Sequence, residues 1–264
     1  MNIQIIVKSK DGAIKAQAEG AGQAILAWEG EYAEGDQIFF IVPETERHYL
    51  IRVDDTMDED IVYLTKSMIV YEIPFGEKKS SYNPKAFTGI RHYLSLRLAE
   101  KYEVNCYRNL SKNGMDQHED MGCYPHAWAN VETRGEAVFA ARNVIDGVMA
   151  TQSHGRWPYQ SWGINKQDDA QITIEFGRPV VIDRIVLYTR ADFPHDNWWR
   201  KVTFTISDGT SVEWELQKGG EAQVIDFSAR RTQWIRLEKL IQSEEPSPFP
   251  ALTQIEVYGT DVLQ

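Results

Sequence analysis

The densest chemistry in this 264-residue chain lies between 190 and 200. The run Arg190-Ala191-Asp192-Phe193-Pro194-His195-Asp196-Asn197-Trp198-Trp199-Arg200 sets guanidinium, carboxylate and imidazole groups beside adjacent indoles. It follows one apolar strand pattern and precedes another, so it reads as a loop at one end of a β-scaffold. Planar polar groups of this kind pair with vicinal hydroxyls, and an aromatic face covers the C–H patch of a sugar ring. A second loop, Ser153-His154-Gly155-Arg156-Trp157-Pro158-Tyr159-Gln160-Ser161-Trp162, is expected at the same end. The candidate ligand residues are therefore Arg190, Asp192, His195, Asp196, Trp198, Trp199, His154 and Trp157. Two bland alternatives stand beside that reading. Neighbouring Trp198 and Trp199 face opposite ways on a strand, so one belongs to the core. Arg190 and Asp192 could also simply pair with each other.

A third cluster, Asp116-Gln117-His118-Glu119-Asp120 followed by Cys123-Tyr124-Pro125-His126, holds acids and bases at short spacing. It could bind a metal or move protons, but no His-Glu-x-x-His spacing is present and a polar charged loop is expected. Neither Gly-x-Ser-x-Gly nor a phosphate-cradling glycine loop occurs. A carboxylate pair for glycoside hydrolysis cannot be read from a chain with 39 acidic residues, because it needs only a separation in space.

The elements that must position these groups are short strands. In the first part, period-2 runs cover 3–7, 13–18, 24–28, 37–42, 48–53 and 67–73, with turns such as Asp11-Gly12 and Gly35-Asp36 between them. That spacing predicts an antiparallel sandwich. Residues 91–98 alternate with Leu94, Leu96 and Leu98 on one face and read as a strand, with a helix as the alternative. Residues 105–125 are polar and without apolar period, as in a linker or long surface loop. Strands resume at 127–131, 171–176, 180–189, 201–207, 211–216, 223–227, 233–237 and 252–258, with a helical turn over 136–144. The division is 1–104, a sandwich of unknown role, then 105–125, then 126–264.

Several phrases of the second half carry a resemblance. They are Ala141-Arg142-Asn143-Val144-Ile145-Asp146-Gly147, Ile172-Thr173-Ile174-Glu175-Phe176-Gly177-Arg178-Pro179-Val180, Ile182-Asp183-Arg184-Ile185-Val186-Leu187-Tyr188, Phe204-Thr205-Ile206-Ser207-Asp208-Gly209, Trp234-Ile235-Arg236-Leu237 and Ala251-Leu252-Thr253-Gln254-Ile255-Glu256-Val257-Tyr258-Gly259. In order and spacing they resemble the discoidin, or coagulation-factor type C, domain, a galactose-binding-like jelly roll shared by many bacterial carbohydrate-binding modules. The resemblance covers about 125–262. It implies a sugar-binding loop after the strand ending near 189, and Trp162 in the core. It also implies a structural calcium ion, held by carbonyls of Asn143 and Val148, the Asp146 carboxylate and Thr151. Where the family pattern has a Glu to complete that shell, this chain has Gln254. The residues themselves add a bulge near Asp183-Arg184 and a hairpin at Ser207-Asp208-Gly209-Thr210.

Composition bounds the partners. Lysine and arginine number 28 against 39 acidic residues, a net charge of −11, which argues against nucleic acid and anionic membranes. No apolar run of bilayer length occurs, and the first residues lack the features of a secretory leader, so a cytoplasmic location is expected, or an extracellular one if a leader has been removed. Cys106 and Cys123 are expected to be free thiols. The fold class is all-β, two sandwich domains with a discoidin-like jelly roll second. The function read from the residues is non-catalytic recognition of a carbohydrate ligand by loops at one end of the jelly roll. The alternatives are an enzyme acting on a glycan at the domain interface, using the His118–His126 segment with Arg190 and His195, and a protein-assembly module. The oligomeric state is not legible.

Overall fold

A computed structural model of the chain describes residues 2–151, 155, 157–191 and 196–262. The first domain is built from β1 (Ile3–Lys8), β2 (Ile14–Gly20), β3 (Gln23–Glu29), β4 (Gln37–Ile41), β5 (Arg47–Arg52), β6 (Asp60–Leu64), β7 (Met68–Glu72) and β8 (Arg91–Leu98). One sheet has the order β2-β1-β4-β7. The facing sheet runs β6-β5-β8-β3 and gains a short outer strand from later in the chain. Strict alternation places Ile3, Ile5 and Val7 of β1, and Ile38 and Phe40 of β4, between the layers, each 2% exposed or less. The 91–98 run is a strand, as its leucines suggest. The strand at Asp60–Leu64 escapes the period-2 reading. It lies inside its sheet, so Val62, Tyr63 and Leu64 are all buried and show no alternation.

Two small strands lead into the second domain, β9 (Arg108–Asn109) and β10 (Cys123–Tyr124). The domain itself comprises β11 (His126–Ala129), β12 (Trp162–Gly163), β13 (Ile172–Thr189), β14 (Trp199–Ile206), β15 (Ser211–Glu215), β16 (Gln223–Gln242) and β17 (Ala251–Asp261). The hydrogen-bonded order is β12-β17-β13-β16-β14-β15. β13 and β16 are each one long strand where the sequence pattern suggested two. The first half of β13 pairs with β11 and its second half with β17, so the strand folds over the core and serves both layers of the sandwich. Gly177 marks the bend at φ +67°, where a Cβ would stand 2.4 Å from the Tyr124 ring. The register also slips between Ile182 and Arg184, where a bulge was expected. Gly209, at φ +85°, turns the expected hairpin between β14 and β15. The 136–144 turn is two short 3-10 segments, Ala137–Phe139 and Ala141–Ile145.

The 105–125 segment departs most from expectation. It is threaded through both domains rather than lying on the surface. β9 pairs with β17, whereas β10 pairs with β6. Leu110 enters the second core, and Met115 and Cys123 enter the first. The polar groups it buries find partners inside the fold. Asn113 donates to the Pro125 carbonyl at 2.8 Å, Ser111 Oγ to the Ile255 carbonyl at 2.9 Å, and Asp60 accepts from the Gly114 N–H at 2.7 Å. Cys106 is exposed and Cys123 buried, and the two do not pair.

A buried charge knot also joins the domains. Asp261 of β17 meets His48 of β5 at 3.1 Å, bonds Arg178, and faces Arg108 at 2.7 Å as an ion pair. Arg178 in turn lies over the Tyr63 ring of the first domain. Burial alone would push the Asp261 carboxyl up, but His48, Arg178 and Arg108 together hold it well below the usual carboxylate range. A lowered folded pKa stabilises the fold above the unfolded value near 3.9 and loses that contribution as pH falls below it. Asp261→Ala, which leaves the buried Arg178 and the half-buried Arg108 without their carboxylate, is expected to cost about 3–5 kcal/mol in urea unfolding at pH 7. The same variant should show a weaker loss of stability on acidification than the parent chain.

Candidate functional site

The loops that leave β13 and β16 meet at one end of the second sandwich. Asn197 holds them together. Its amide donates to the carbonyls of Ser247 at 2.6 Å and Glu245 at 3.2 Å, while its oxygen accepts from Ser243 Oγ and from the Trp198 N–H. The backbone N–H of Arg190 donates to the Ala251 carbonyl at 2.9 Å. These bonds fix the frame of a pocket of about 210 Å³.

Arg190 forms part of its wall and is 3% exposed. The guanidinium bonds Asp196 through Nε at 3.1 Å and Nη2 at 3.4 Å, and reaches Ser161 Oγ at 3.2 Å. Phe139 and Tyr159 lie 5.7 and 5.8 Å from it by ring centroid. Phe249, 41% exposed between Pro248 and Pro250, supplies an open aromatic face, with the Lys166 ammonium 4.8 Å from its centroid. Arg134 and Asn165 complete the polar rim, and Arg134 is clasped by Glu136 at 2.6 and 2.8 Å. Arg134, Asn165 and Lys166 have φ of 55°, 49° and 61°. Three of the six described non-glycine residues with positive φ therefore line this one pocket. Left-handed backbone costs about 1–3 kcal/mol per residue unless the fold imposes it, and such strain gathers at ligand sites.

The structure rearranges the expected site. Asp192, His195 and His154 lie outside the described residues. Trp199 is fully buried against Trp162, ring centroids 6.3 Å apart, so it is core and cannot meet a ligand. Trp198 is half-buried with its indole N–H on Glu245 at 3.3 Å. Arg190 and Asp196 pair with each other at 3.1 Å. Trp157 lines a different hollow of about 190 Å³ between the domains, with Asp58, Asp60, Tyr82 and Gln160. Sequence reasoning missed Phe139, Arg134, Asn165, Lys166 and Phe249. One signal was present: the Pro248-Phe249-Pro250 triplet presents an aromatic side chain in a segment that can make few ladder bonds.

The one carboxylate among the residues suggested for calcium is Asp146. Asp146 accepts from the Val148 N–H at 2.8 Å and from Gln160 Nε2 at 2.9 Å, so both oxygens are engaged within the chain. Asn143 turns its amide to the carbonyls of Ala137 and Ser161. Thr151 is half-buried at the edge of undescribed residues. Gln254 is fully buried with neither amide atom partnered among the described residues, and its carbonyl oxygen is a calcium ligand type that lacks the charge of a Glu. No group of three His, Cys, Asp or Glu suited to a metal occurs among the described residues.

Of the interface set of acids and bases, His195 lies outside the described residues. His126 is 5% exposed and bonds Asp116 at 2.8 Å, and Asp116 also accepts the Ala127 N–H. This pair closes the junction, while Arg190 belongs to the loop end. Among the described residues no helix is long and apolar enough to cross a membrane.

A family model described as a domain of unknown function, DUF7402, matches residues 125–249. No curated protein matches. Among solved structures the chain is similar to chitosan-binding module 1 of a chitosanase/glucanase from Paenibacillus sp. IK-5, at 21% identity over 57% of this chain and 98% of that one, TM-score 0.40. It is also similar to the family 32 carbohydrate-binding module of C. perfringens NanJ in complex with galactose, at 17% identity over 50% and 91% of the two chains, TM-score 0.39. The lectin domain of lectinolysin complexed with Lewis B antigen is a third, at 16% identity over 58% and 96%, TM-score 0.41.

Two outcomes follow from the geometry. Arg190→Ala leaves the Asp196 carboxylate buried without its guanidinium, and is expected to cost about 3–5 kcal/mol of stability by urea denaturation, in addition to any effect on binding. Burial pushes the Asp146 carboxyl up to about 6, against the pull of Arg142, Gln160 and the Val148 N–H. Its side-chain carbon resonance should therefore titrate near pH 6. With a raised folded pKa, its stabilising share is full below the unfolded value near 3.9 and is lost as pH rises through the folded one.

Proposed function

We propose that this chain is a non-catalytic carbohydrate-binding protein whose ligand sits in the loop-end pocket of the second sandwich. The observation that carries the reading is the convergence of three left-handed, polar, non-glycine residues around an exposed aromatic face. Hydrogen-bonded turns hold all three in place, Asn165 and Lys166 between Ile164 and Gln167 (2.9 Å) and Arg134 between Thr133 and Glu136 (3.2 Å). Phe249 offers the apolar surface on which the C–H face of a pyranose stacks. The Asn165 amide and the Lys166 ammonium offer directed donors for hydroxyls at its rim. The buried Arg190–Asp196 pair underlies the pocket and orients its floor, so its role is positioning. A volume near 210 Å³ suits one sugar residue, with the remainder of a chain in solvent.

The binding should be weak for a single sugar, since protein hydrogen bonds replace water ones with little net gain. The test is calorimetric titration with a panel of mono- and oligosaccharides. Phe249→Ala is expected to lower affinity by about three- to tenfold, the worth of one aromatic contact. Lys166→Gly should do likewise while raising unfolding stability by about 1 kcal/mol, because glycine adopts φ +61° freely. An absence of binding across the panel, or binding indifferent to both substitutions, overturns the proposal.

A further inference from the structure

A larger cavity lies elsewhere. A cleft of about 470 Å³ opens between the two domains, more than twice the volume of the loop-end pocket, and its walls come from both sandwiches and from the 105–125 segment. We propose that this cleft is a second, independent binding site, and that it takes a small organic cation: an ammonium group on an apolar body.

The walls are held rigidly. Gln117 joins the Glu72 backbone by two bonds, accepting from its N–H at 3.1 Å and donating to its carbonyl at 2.7 Å. Glu77 of the first domain accepts the Ala137 N–H of the second at 2.7 Å. Glu132 accepts the Ala141 N–H at 2.7 Å, and its side chain is 15% exposed. Each of these two carboxylates is thus fixed through one oxygen. The second oxygen of Glu132 stands 3.7 Å from His118 Nε2, beyond hydrogen-bond distance.

The cations nearby are already committed. Lys78 pairs with Glu72 at 3.3 Å. Arg142 aims its N–H groups away from the cleft, at the carbonyls of Asp116 (2.7 Å) and Gly114 (2.9 Å), and lies over the Tyr82 ring. The carboxylates of Glu77 and Glu132 are left to set the charge of the space, with the His118 imidazole 3.7 Å from Glu132 and 3.5 Å from the exposed Glu119, while Val70, Met121 and Ala140 give it an apolar floor. A preorganised carboxylate beside an apolar surface favours a ligand that brings its own donor and positive charge, since a charge-assisted hydrogen bond is about twice as strong as a neutral one.

The experiment is a titration of the full chain with cyclohexylammonium and with cyclohexanol, a matched pair differing in charge, followed by calorimetry or by shifts of the His118 resonances. Cyclohexylammonium should bind and cyclohexanol should bind at least about tenfold more weakly. Glu132→Gln keeps the acceptor for the Ala141 N–H and removes the charge, and is expected to lower cyclohexylammonium affinity by about tenfold. Glu77→Gln serves as a second variant should the first alter folding, as read by its melting curve. Phe249→Ala, at the loop end, should leave the ammonium affinity unchanged, which separates this site from the proposed sugar pocket. Equal affinity for the two probes, no binding of either, or full affinity in both glutamine variants overturns the proposal.

Discussion

The burial of Arg142 is the constraint on which the domain arrangement rests. Its guanidinium is 7% exposed and can be tolerated there only because the fork is filled. Two of its nitrogens bond the Asp116 and Gly114 carbonyls, a third bonds the side-chain oxygen of Asn143, and one face covers Tyr82. These partners come from the first domain, from the 105–125 segment and from the second domain. Arg142 also lines both hollows between the domains, the large cleft and the smaller one beside Trp157. A polar segment that looks like a linker is thereby turned into the shared wall of two cavities.

The same economy governs the loop end. Arg190 is placed below a pocket, yet its fork is spent on Asp196 and Ser161. Buried arginine is most useful here as a rigid spacer with a fixed orientation, which lets neighbouring loops approach without collapsing. The groups open to a ligand are those at the rim, Asn165, Lys166 and Phe249, and two of these carry backbone strain. The division of labour is between buried charge that shapes the site and exposed side chains that touch what enters it. Two hollows with different linings follow from one topology: an aromatic and basic rim at the free end of the jelly roll, and a carboxylate-walled cleft where the sandwiches join.

Much of this was legible in the residues. Alternation in runs such as Ile3–Lys8 and Met68–Glu72 identified strands because a half-buried strand must alternate. Asp208-Gly209 identified its hairpin because one residue there needs positive φ. The reading failed at Asp60–Leu64, buried on both faces, and at 105–125, where polar residues are interior. Arg190, Asp196 and Trp199 have the types that bind sugars, but type does not say whether a group's hydrogen-bonding capacity is already spent inside the fold.

The sequence by itself determined the all-β class, the strand-rich halves and the positions of most turns, since these depend on period and local conformational preference within a few residues. Only the tertiary structure decided which charges are internal partners, which aromatic rings reach solvent, and which strained residues share a wall. Those outcomes depend on contacts such as Asp261 with His48 and Ser111 with Ile255, between residues more than a hundred positions apart. No local pattern encodes such pairings, because the burial of a polar group becomes favourable only when its partner arrives from elsewhere in the chain.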